Sequence, residues 1–320
     1  MQQSTKHGND NNMKNTKTIK TVLFASLIVA MILPFYAMEM VSATSNENTN
    51  DKGQINSAKK YKVGVLSKII TDEGYVDGVK VVKYKNTIKL LEKPTVKDLM
   101  DDNKEYLDFL RTQGEEGNKL AAEEISKYHE VINNLNDEME IETAKVGDHS
   151  ISFGTVTYDS PNGNSKDPIN LLFHNQGYAY NAKYRIDNNA LHSWHSATGG
   201  SQYVFIDNTA HPGGSSYWQL NSYQLEEGSY TDRYHVRIFE GGYDTHQQFN
   251  YWSLGAGHRE NCTPSCHTHY TNSWEVTESE IKNDLTGQTG VGTVSSIYLG
   301  NGGYYQGIYN NGYAGYIQLN

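Results

Sequence analysis

The segment YHVRIF at residues 234–239 decides the fold, because it alternates bulky apolar side chains with polar ones. A period of two predicts a β-strand with two unlike faces. Val236 and Ile238 lie on one face, and His235 and Arg237 lie on the other. We therefore predict a sheet with one face buried in an apolar core and polar groups on the other face.

The segment WSLGAG at residues 252–257 predicts a second strand of the same kind. If the alternation continues past its end, His258 and Glu260 share one face of that strand. Gly255 and Gly257 indicate either a close approach of another backbone or a β-bulge. Because the two segments follow one another in the chain, we expect them to be neighbours in the sheet.

Side chains from this region form a candidate metal site. Neutral imidazoles together with a carboxylate suit zinc or a related divalent ion, so we predict His235, His258 and His269 as ligands. Glu260 then serves as general base toward a bound water, and Arg237 holds the anionic part of a substrate. The alternative is structural: His235 and Arg237 hydrogen-bond on a polar sheet face, and the other side chains belong to a loop.

Cys262 and Cys266 lie four positions apart in the same region. In an oxidising compartment such a pair predicts a short disulfide loop. The alternative is a zinc cluster that combines the two sulfurs with His258 and His267. The two interpretations exclude each other, because a sulfur in a disulfide does not ligate zinc.

The sequence changes character after Gly147, where charged residues become sparse and all four tryptophans follow. Short β-branched runs between turn residues predict a mainly antiparallel sheet. Thr277 is the predicted cap of one helix within it, with Ile281 and Leu285 on the apolar face. The further predicted strands are residues 151–158, 169–174 and 203–207.

The last segment, residues 300–320, alternates Tyr and Ile with Gly. Asn310-Asn311-Gly312 predicts a tight hairpin turn within it. Two interpretations are open: a terminal strand pair that covers the sheet, or an aromatic surface that stacks on sugars.

Residues 61–147 predict a small α/β region. Branched residues over 61–84 predict a β-hairpin, and Thr95 is the predicted N-cap of a helix that follows it. A second helix has apolar side chains at alternating intervals of four and three from Ala121 to Met139. This seam favours packing within a helical hairpin, and the alternative is a coiled coil with another chain.

Residues 1–43 have a basic start, an apolar run and a small-x-small pattern, which is the order of a secretory signal. The alternative is an uncleaved membrane anchor, since the apolar run approaches the roughly 18 to 20 residues that span a bilayer. Either interpretation places the rest of the chain outside the cytoplasm. The polar residues 44–60 predict a disordered linker.

These patterns together predict an α+β fold, with a small helical N-terminal region over residues 61–147 and a β-rich domain over residues 148–320. The chain has 27 Lys and Arg against 37 Asp and Glu, a formal net charge of -10. We expect no nucleic-acid partner, because binding to phosphates needs clustered basic residues and the only such cluster lies in the leader. Contact with a membrane is expected only through the N-terminal segment.

Several short motifs resemble one known family in their order and rough spacing. They are residues 167–173, His235-Val236-Arg237, residues 252–256, His269, and Glu278 with Asp284-Leu285. Over residues 165–286 the chain resembles the extracytoplasmic C-terminal domain named after LssY, which often follows membrane phosphatase segments. This chain departs from that pattern in having no such segments and in adding the cysteine loop and the Gly/Tyr tail. The resemblance implies importance for His235, Arg237 and His258, and it implies no reaction.

Two functions follow as expectations. The first is an exported cell-surface or secreted protein that binds an envelope component or a small ligand through a polar, aromatic sheet face. The second is a metal-assisted hydrolase outside the cytoplasm that uses the His-rich site. Convergence of His235, His258 and His269 in one cleft favours the second.

Overall fold

The computed structural model describes residues 58–76, 78–147, 151–176, 178–188, 191–211, 213–229, 231–243, 251–262 and 269–320. The leader predicted for residues 1–43 lies outside these ranges, as does nearly all of the predicted linker. Among the residues described, no helix has the length and apolar character needed to cross a membrane.

Strands dominate the described residues, with 18 strands and five helices. The strands are β1 (Lys60–Val76), β2 (Val79–Leu90), β3 (Glu138–Val146), β4 (Ser152–Gly154), β5 (Val156–Tyr158), β6 (Ser165–Pro168), β7 (Leu171–Asn175), β8 (His195–Ser196), β9 (Tyr203–Asp207), β10 (Ser216–Leu220), β11 (Tyr223–Ser229), β12 (Asp232–Tyr243), β13 (Tyr251–Cys262), β14 (His269–Ser273), β15 (Val291–Tyr298), β16 (Gly303–Tyr305), β17 (Ile308–Asn310) and β18 (Tyr313–Leu319). The helices are α1 (Val96–Asp102), α2 (Lys104–Thr112), α3 (Gly114–Asn133), α4 (Ala179–Asp187) and α5 (Glu275–Leu285).

Six antiparallel strands close into a barrel in the order β1, β2, β3, β4, β9 and β10, with β10 paired back to β1. β5 and β6 extend this sheet from β9. Of the described residues, 51% lie in strands and 23% in helices. The fold is therefore mostly β.

The predicted α+β fold is wrong. Residues 61–147 do not form a small helical region that precedes the sheet, because they supply β1, β2 and β3 to the barrel. The helices α1 to α3 are an insertion between β2 and β3. The β-hairpin predicted over residues 61–84 is confirmed, since β1 pairs with β2 in antiparallel, and Leu66, Ile69 and Ile70 on β1 are exposed.

Strands on the two sides of Gly147 belong to the same barrel. β3 pairs with β4 across that position, and β1 pairs with β10. The residues described from 58 onward form one compact unit. The change of composition at Gly147 therefore falls between two neighbouring strands of one sheet.

The inserted helices begin where the sequence predicts and end earlier. Thr95 caps α1 in a capping box, since its Oγ1 accepts from the Asp98 backbone and the Asp98 carboxylate accepts from the Thr95 backbone. The seam predicted to run to Met139 is wrong beyond Asn133, where α3 ends. Leu135 follows the helix, and Met139 lies in β3. The four-three spacing continued by coincidence into a strand.

The second large sheet carries the candidate site. Its strand order is β15, β18, β7, β13, β12, β11 and β8, with β14 paired to β13. One face packs against barrel residues such as Val146 and Phe153 through Phe239 and Leu254. The other face packs against α4 and α5 through Val236 and other buried residues. The sheet is thus a central layer between the barrel and two helices.

Three predicted details of the chain after residue 274 are wrong. α5 begins at Glu275, so Thr277 lies buried within the helix and does not cap it. The chain-terminal β18 does not cover the sheet, because it lies between β15 and β7 and pairs with β7 in parallel. The tight turn of the β16–β17 hairpin is at Gln306 and Gly307, whose φ angles are 50° and 81°, and not at Asn310-Asn311-Gly312.

Candidate metal centre

The register between β12 and β13 places the predicted site residues together. His235 lies directly opposite His258, and Arg233 lies opposite Glu260. Arg237 lies two residues further along the same face of β12 as His235. The polar residues of the two strands therefore share one side of the sheet.

This polar side is the continuation of the face that packs on the barrel. Phe239 and Leu254 lie further along the same face and are buried against barrel residues. Val236 and Ile238 point to the opposite face and pack with α4 and α5. The strand alternation thus sends the imidazoles away from α4 and α5 and toward the barrel side of the sheet, where α2 and α3 line the cavities.

Three ligand atoms from His235, His258 and Glu260 lie within 4.8 Å of one another. Glu260 Oε1 is 3.5 Å from His235 Nδ1 and 2.6 Å from His258 Nε2. The two imidazole rings have centroids 5.1 Å apart in an edge-to-face arrangement. The residues are 2%, 2% and 8% exposed respectively, so the cluster is almost fully removed from solvent.

His235 is a buried imidazole without a hydrogen bond. Neither its Nδ1 nor its Nε2 has a hydrogen-bond partner among the described residues. Burial holds the pKa of His235 well below its usual value, and the positive charge of Arg237 lowers it further. His235 is therefore neutral at physiological pH, which is the form of imidazole that binds a metal ion.

Glu260 is an ionised carboxylate despite its burial. Burial alone would raise its pKa, but the hydrogen bond with His258 and the positive charges around it hold the pKa well below the usual range. Arg233 donates from Nε to Glu260 Oε2 at 2.9 Å and also pairs with Glu226. Glu260 is thus a fixed anion with Oε1 turned toward the two imidazoles.

Asp167 accepts hydrogen bonds from three side chains beside His258. Its Oδ2 accepts from Arg237 and from Gln202, each at 2.9 Å, and its Oδ1 accepts from Gln306 at 2.8 Å. The same Oδ2 lies 3.6 Å from His258 Nδ1. His258 therefore has one ring nitrogen beside Glu260 and the other near Asp167, although the 3.6 Å separation from Asp167 is too long for a hydrogen bond.

Local packing fixes the end of β13 that carries His258. The amide of Asn170 accepts from Gly257 N at 2.8 Å and donates to Gly257 O at 2.8 Å. A Cβ at Gly255 would lie 2.8 Å from the Leu171 Cβ, so the glycine leaves room for the Leu171 side chain. The nearest atoms at Gly255 and Gly257 belong to side chains and not to another backbone, and the register between β12 and β13 is continuous there, which excludes a bulge.

Two cavities meet at this cluster. One, of about 280 Å³, lies on the α3 side and is bordered by His258 and Asp167. The other, of about 380 Å³, lies on the α2 side and is bordered by His235 and Arg233. Arg237, Glu260, His269 and Gly200 border both. The cluster is buried yet reachable from two sides.

His269 borders these cavities without belonging to the cluster of ligand atoms. It begins β14 and stands opposite Cys262 in the register with β13. Its ring nitrogens are not among the three ligand atoms that lie within 4.8 Å of one another. Cys266 and His267 lie outside the described residues, so the disulfide of Cys262 and Cys266 stays a prediction.

The donor set was tested against the geometry of zinc. Metal–ligand distances of about 2.0 to 2.2 Å at a tetrahedral ion separate neighbouring ligand atoms by about 3.3 to 3.5 Å. The separation of His235 Nδ1 and Glu260 Oε1, 3.5 Å, matches this value. The 2.6 Å contact of His258 with Glu260 must lengthen by less than about 1 Å. Two imidazoles and one carboxylate then leave a fourth position toward the cavities.

Three residues of the site were not predicted from the sequence: Asp167, Arg233 and Gln202. Arg233 stands two positions before His235, so strand alternation alone places it on the same face. Asp167 lies within one of the motifs of the family resemblance, and no local pattern gives it a role. No sequence pattern indicates a role for Gln202, because it reaches the site from the loop before β9.

A second group of potential ligands lies between α5 and the segment before β8. His192 Nδ1 is 2.5 Å from Asp284 Oδ1, and His192 Nε2 is 3.1 Å from Glu280 Oε1. Trp194 donates its indole N–H to the other Asp284 oxygen at 2.9 Å. Each ring nitrogen faces a different carboxylate, which is the geometry of a protonated histidine between two anions.

Comparisons with protein-family models, with curated proteins and with solved structures found no match. The resemblance to the C-terminal domain named after LssY stays a prediction.

Proposed function

We propose that this chain is a metal-dependent hydrolase, with one zinc or related divalent ion held by His235, His258 and Glu260. The observation that carries the proposal is the buried His235, whose two ring nitrogens have no hydrogen bond among the described residues while the imidazole of His258 and the carboxylate of Glu260 lie beside it. A buried polar group without a partner costs about 1 to 3 kcal/mol, and a bound ion removes that cost. Two histidines and one glutamate form a ligand set of catalytic zinc.

In this proposal each residue of the site has its own role. A bound ion would supply the nucleophile by lowering the pKa of a water to about 7. Asp167 fixes Arg237 through a 2.9 Å hydrogen bond, and Arg233 fixes Glu260 and offsets part of its charge. Arg237 stabilises negative charge that develops on the substrate. Glu260 acts as a ligand here, and not as the general base expected from the sequence.

A second candidate is a binding domain without catalysis, which is the other function expected from the sequence. The charges of the site favour it, because Arg233 pairs with Glu260 and Arg237 pairs with Asp167 in the absence of an ion. This candidate predicts ligand binding in the cavities and no turnover. On the basis of residues 1–43, we propose for either function that the chain works outside the cytoplasm, secreted or anchored by that segment, on an envelope component or small molecule.

Zinc content and zinc-dependent hydrolysis test the proposal. The chain, prepared without affinity-tag histidines and dialysed against zinc at neutral pH, should retain one equivalent. It should hydrolyse 4-nitrophenyl acetate in a manner that a chelator abolishes and zinc restores. His235→Ala and His258→Ala should lose both properties. His129→Ala, on the exposed side of α3, is the matched control and should keep both.

Two outcomes decide against the hydrolase. Wild-type protein that takes up no zinc at neutral pH contradicts the metal site, since its imidazoles are then available for binding. One equivalent of zinc with no chelator-sensitive hydrolysis contradicts catalysis and leaves the binding domain.

A further inference from the structure

The two cavities that meet at the cluster have different walls. On the α2 side, helix α2 forms an apolar wall with Tyr106, Phe109 and Leu110, and polar residues such as Ser196, Thr198 and Glu226 line the rest of that cavity. On the α3 side, helix α3 contributes the charged Glu124 and Lys127 as well as Tyr128 and Val131, and Gln306 and charged side chains near β6 complete the wall. The wall that α2 forms is thus apolar, whereas the wall that α3 forms carries charged side chains.

Phe109 is the most informative residue of the apolar wall. It is 37% exposed, which is unusual for a phenylalanine, and it lies outside the apolar cores of the described residues. Leu110, next to it, is buried in the core under the helices. Phe109 therefore contributes little to the stability of the fold, and its ring is accessible to a molecule in the α2-side cavity.

The cluster lies between the two walls and not at the end of one cavity. His235 borders the α2-side cavity and His258 borders the α3-side cavity. Glu260 and Arg237 border both. A molecule that places its reacting bond at the cluster consequently extends into both cavities.

We propose that the substrate is an ester or amide that joins an apolar group to a polar one, with the apolar group against Phe109 and the polar group on the α3 side. This inference rests on the proposed hydrolase. The oxygen of water adds to the carbonyl carbon, the C–O or C–N bond breaks, and a proton from the water passes to the leaving alcohol or amine. Arg237, which borders both cavities, stabilises the negative charge on the carbonyl oxygen.

Two hydroxamates test whether the apolar group of a ligand lies in the α2-side cavity. They bind zinc through the same chemical group and differ in the arm attached to it. The full chain is loaded with zinc, and its affinities for benzohydroxamate and acetohydroxamate are measured by titration. Benzohydroxamate should bind about tenfold more tightly, because the phenyl ring buries apolar surface against Phe109. Phe109→Ala should reduce this ratio to below about threefold and leave the acetohydroxamate affinity unchanged. His129→Ala, at an exposed position of α3 outside both cavity linings, should keep the wild-type ratio.

The outcomes separate the two proposals. A chain that binds one zinc and binds both hydroxamates equally keeps the metal centre and loses the apolar subsite. A preference for the phenyl arm that persists in Phe109→Ala places the ring elsewhere and overturns the assignment. A chain that binds no zinc contradicts the hydrolase and this inference together.

Discussion

His235→Leu should be more stable than wild type without zinc and less stable than wild type with zinc. The imidazole is 2% exposed and has two ring nitrogens without hydrogen bonds among the described residues. Leucine has a similar volume and no polar atoms, so the substitution removes an unsatisfied donor and acceptor. With a chelator present, His235→Leu should be more stable than wild type by about 1 to 3 kcal/mol.

Zinc should invert this order. At a free zinc concentration about 100-fold above its dissociation constant, the wild type gains about 2.7 kcal/mol and the variant, without the ligand, gains almost nothing. For a chain of this size that gain corresponds to a rise in Tm of about 4 to 5 °C. Urea unfolding and thermal melts, each with chelator and with buffered zinc, measure both numbers.

Two results refute the reasoning. A loss of stability above about 1 kcal/mol for metal-free His235→Leu means that the imidazole makes a favourable contact in the folded protein. An equal zinc-dependent gain in wild type and variant means that the ion binds at another site. His129→Leu, at an exposed position of α3, should change neither number and serves as the control.

The remaining predictions concern packing and pH. Leu107→Ala should lower the free energy of unfolding, measured in urea, by about 2 to 5 kcal/mol, because Leu107 is 1% exposed under the helices. Leu135→Ala should lower it by less than about 1 kcal/mol, because Leu135 is half-buried beyond the end of α3. Equal losses for the two variants would contradict the helix end at Asn133. Burial lowers the pKa of His192, but the hydrogen bond with Asp284 and the charges of nearby carboxylates raise it above the usual value. Since the folded pKa is the higher one, this stabilisation is fully present below about pH 6.5 and is lost as pH rises through the folded pKa. The Tm difference between wild type and His192→Gln should therefore shrink from pH 6 to pH 9, and a constant difference would show that the charge of His192 plays no part.

Strand alternation is enough to predict which residues of the candidate site share one face of the sheet. His235 and Arg237 were placed together because side chains in a strand alternate, and His258 with Glu260 for the same reason. The structure adds the register, in which His235 faces His258 directly. Register depends on which turn and bulge join two strands, and the segment between β12 and β13 carries no two-residue turn signal that would fix it.

The barrel could not be predicted from the same kind of pattern. Residues 151–158 are predicted as one strand, whereas the structure divides them between β4 and β5, each three residues long. β1 and β2 form the predicted hairpin, but Ile69 and Ile70 on β1 are apolar and exposed, so their pattern does not indicate that the sheet closes. Asp167 reaches the site from a separate strand through partners distant in sequence, such as Arg237. Such contacts follow from topology and leave no local signal.

Because α1 to α3 are an insertion between β2 and β3, the sequences of these helices and of the strands that carry the candidate site can change at different rates in evolution. The ligand set lies on β12 and β13, whereas the walls that select what reaches it come partly from α2 and α3. Both ends of the insertion are held by paired barrel strands, so helices of other length or sequence can be accommodated without breaking the closure of the barrel. Proteins that share this arrangement could keep one chemistry and diversify in what they act upon by exchanging the helices alone.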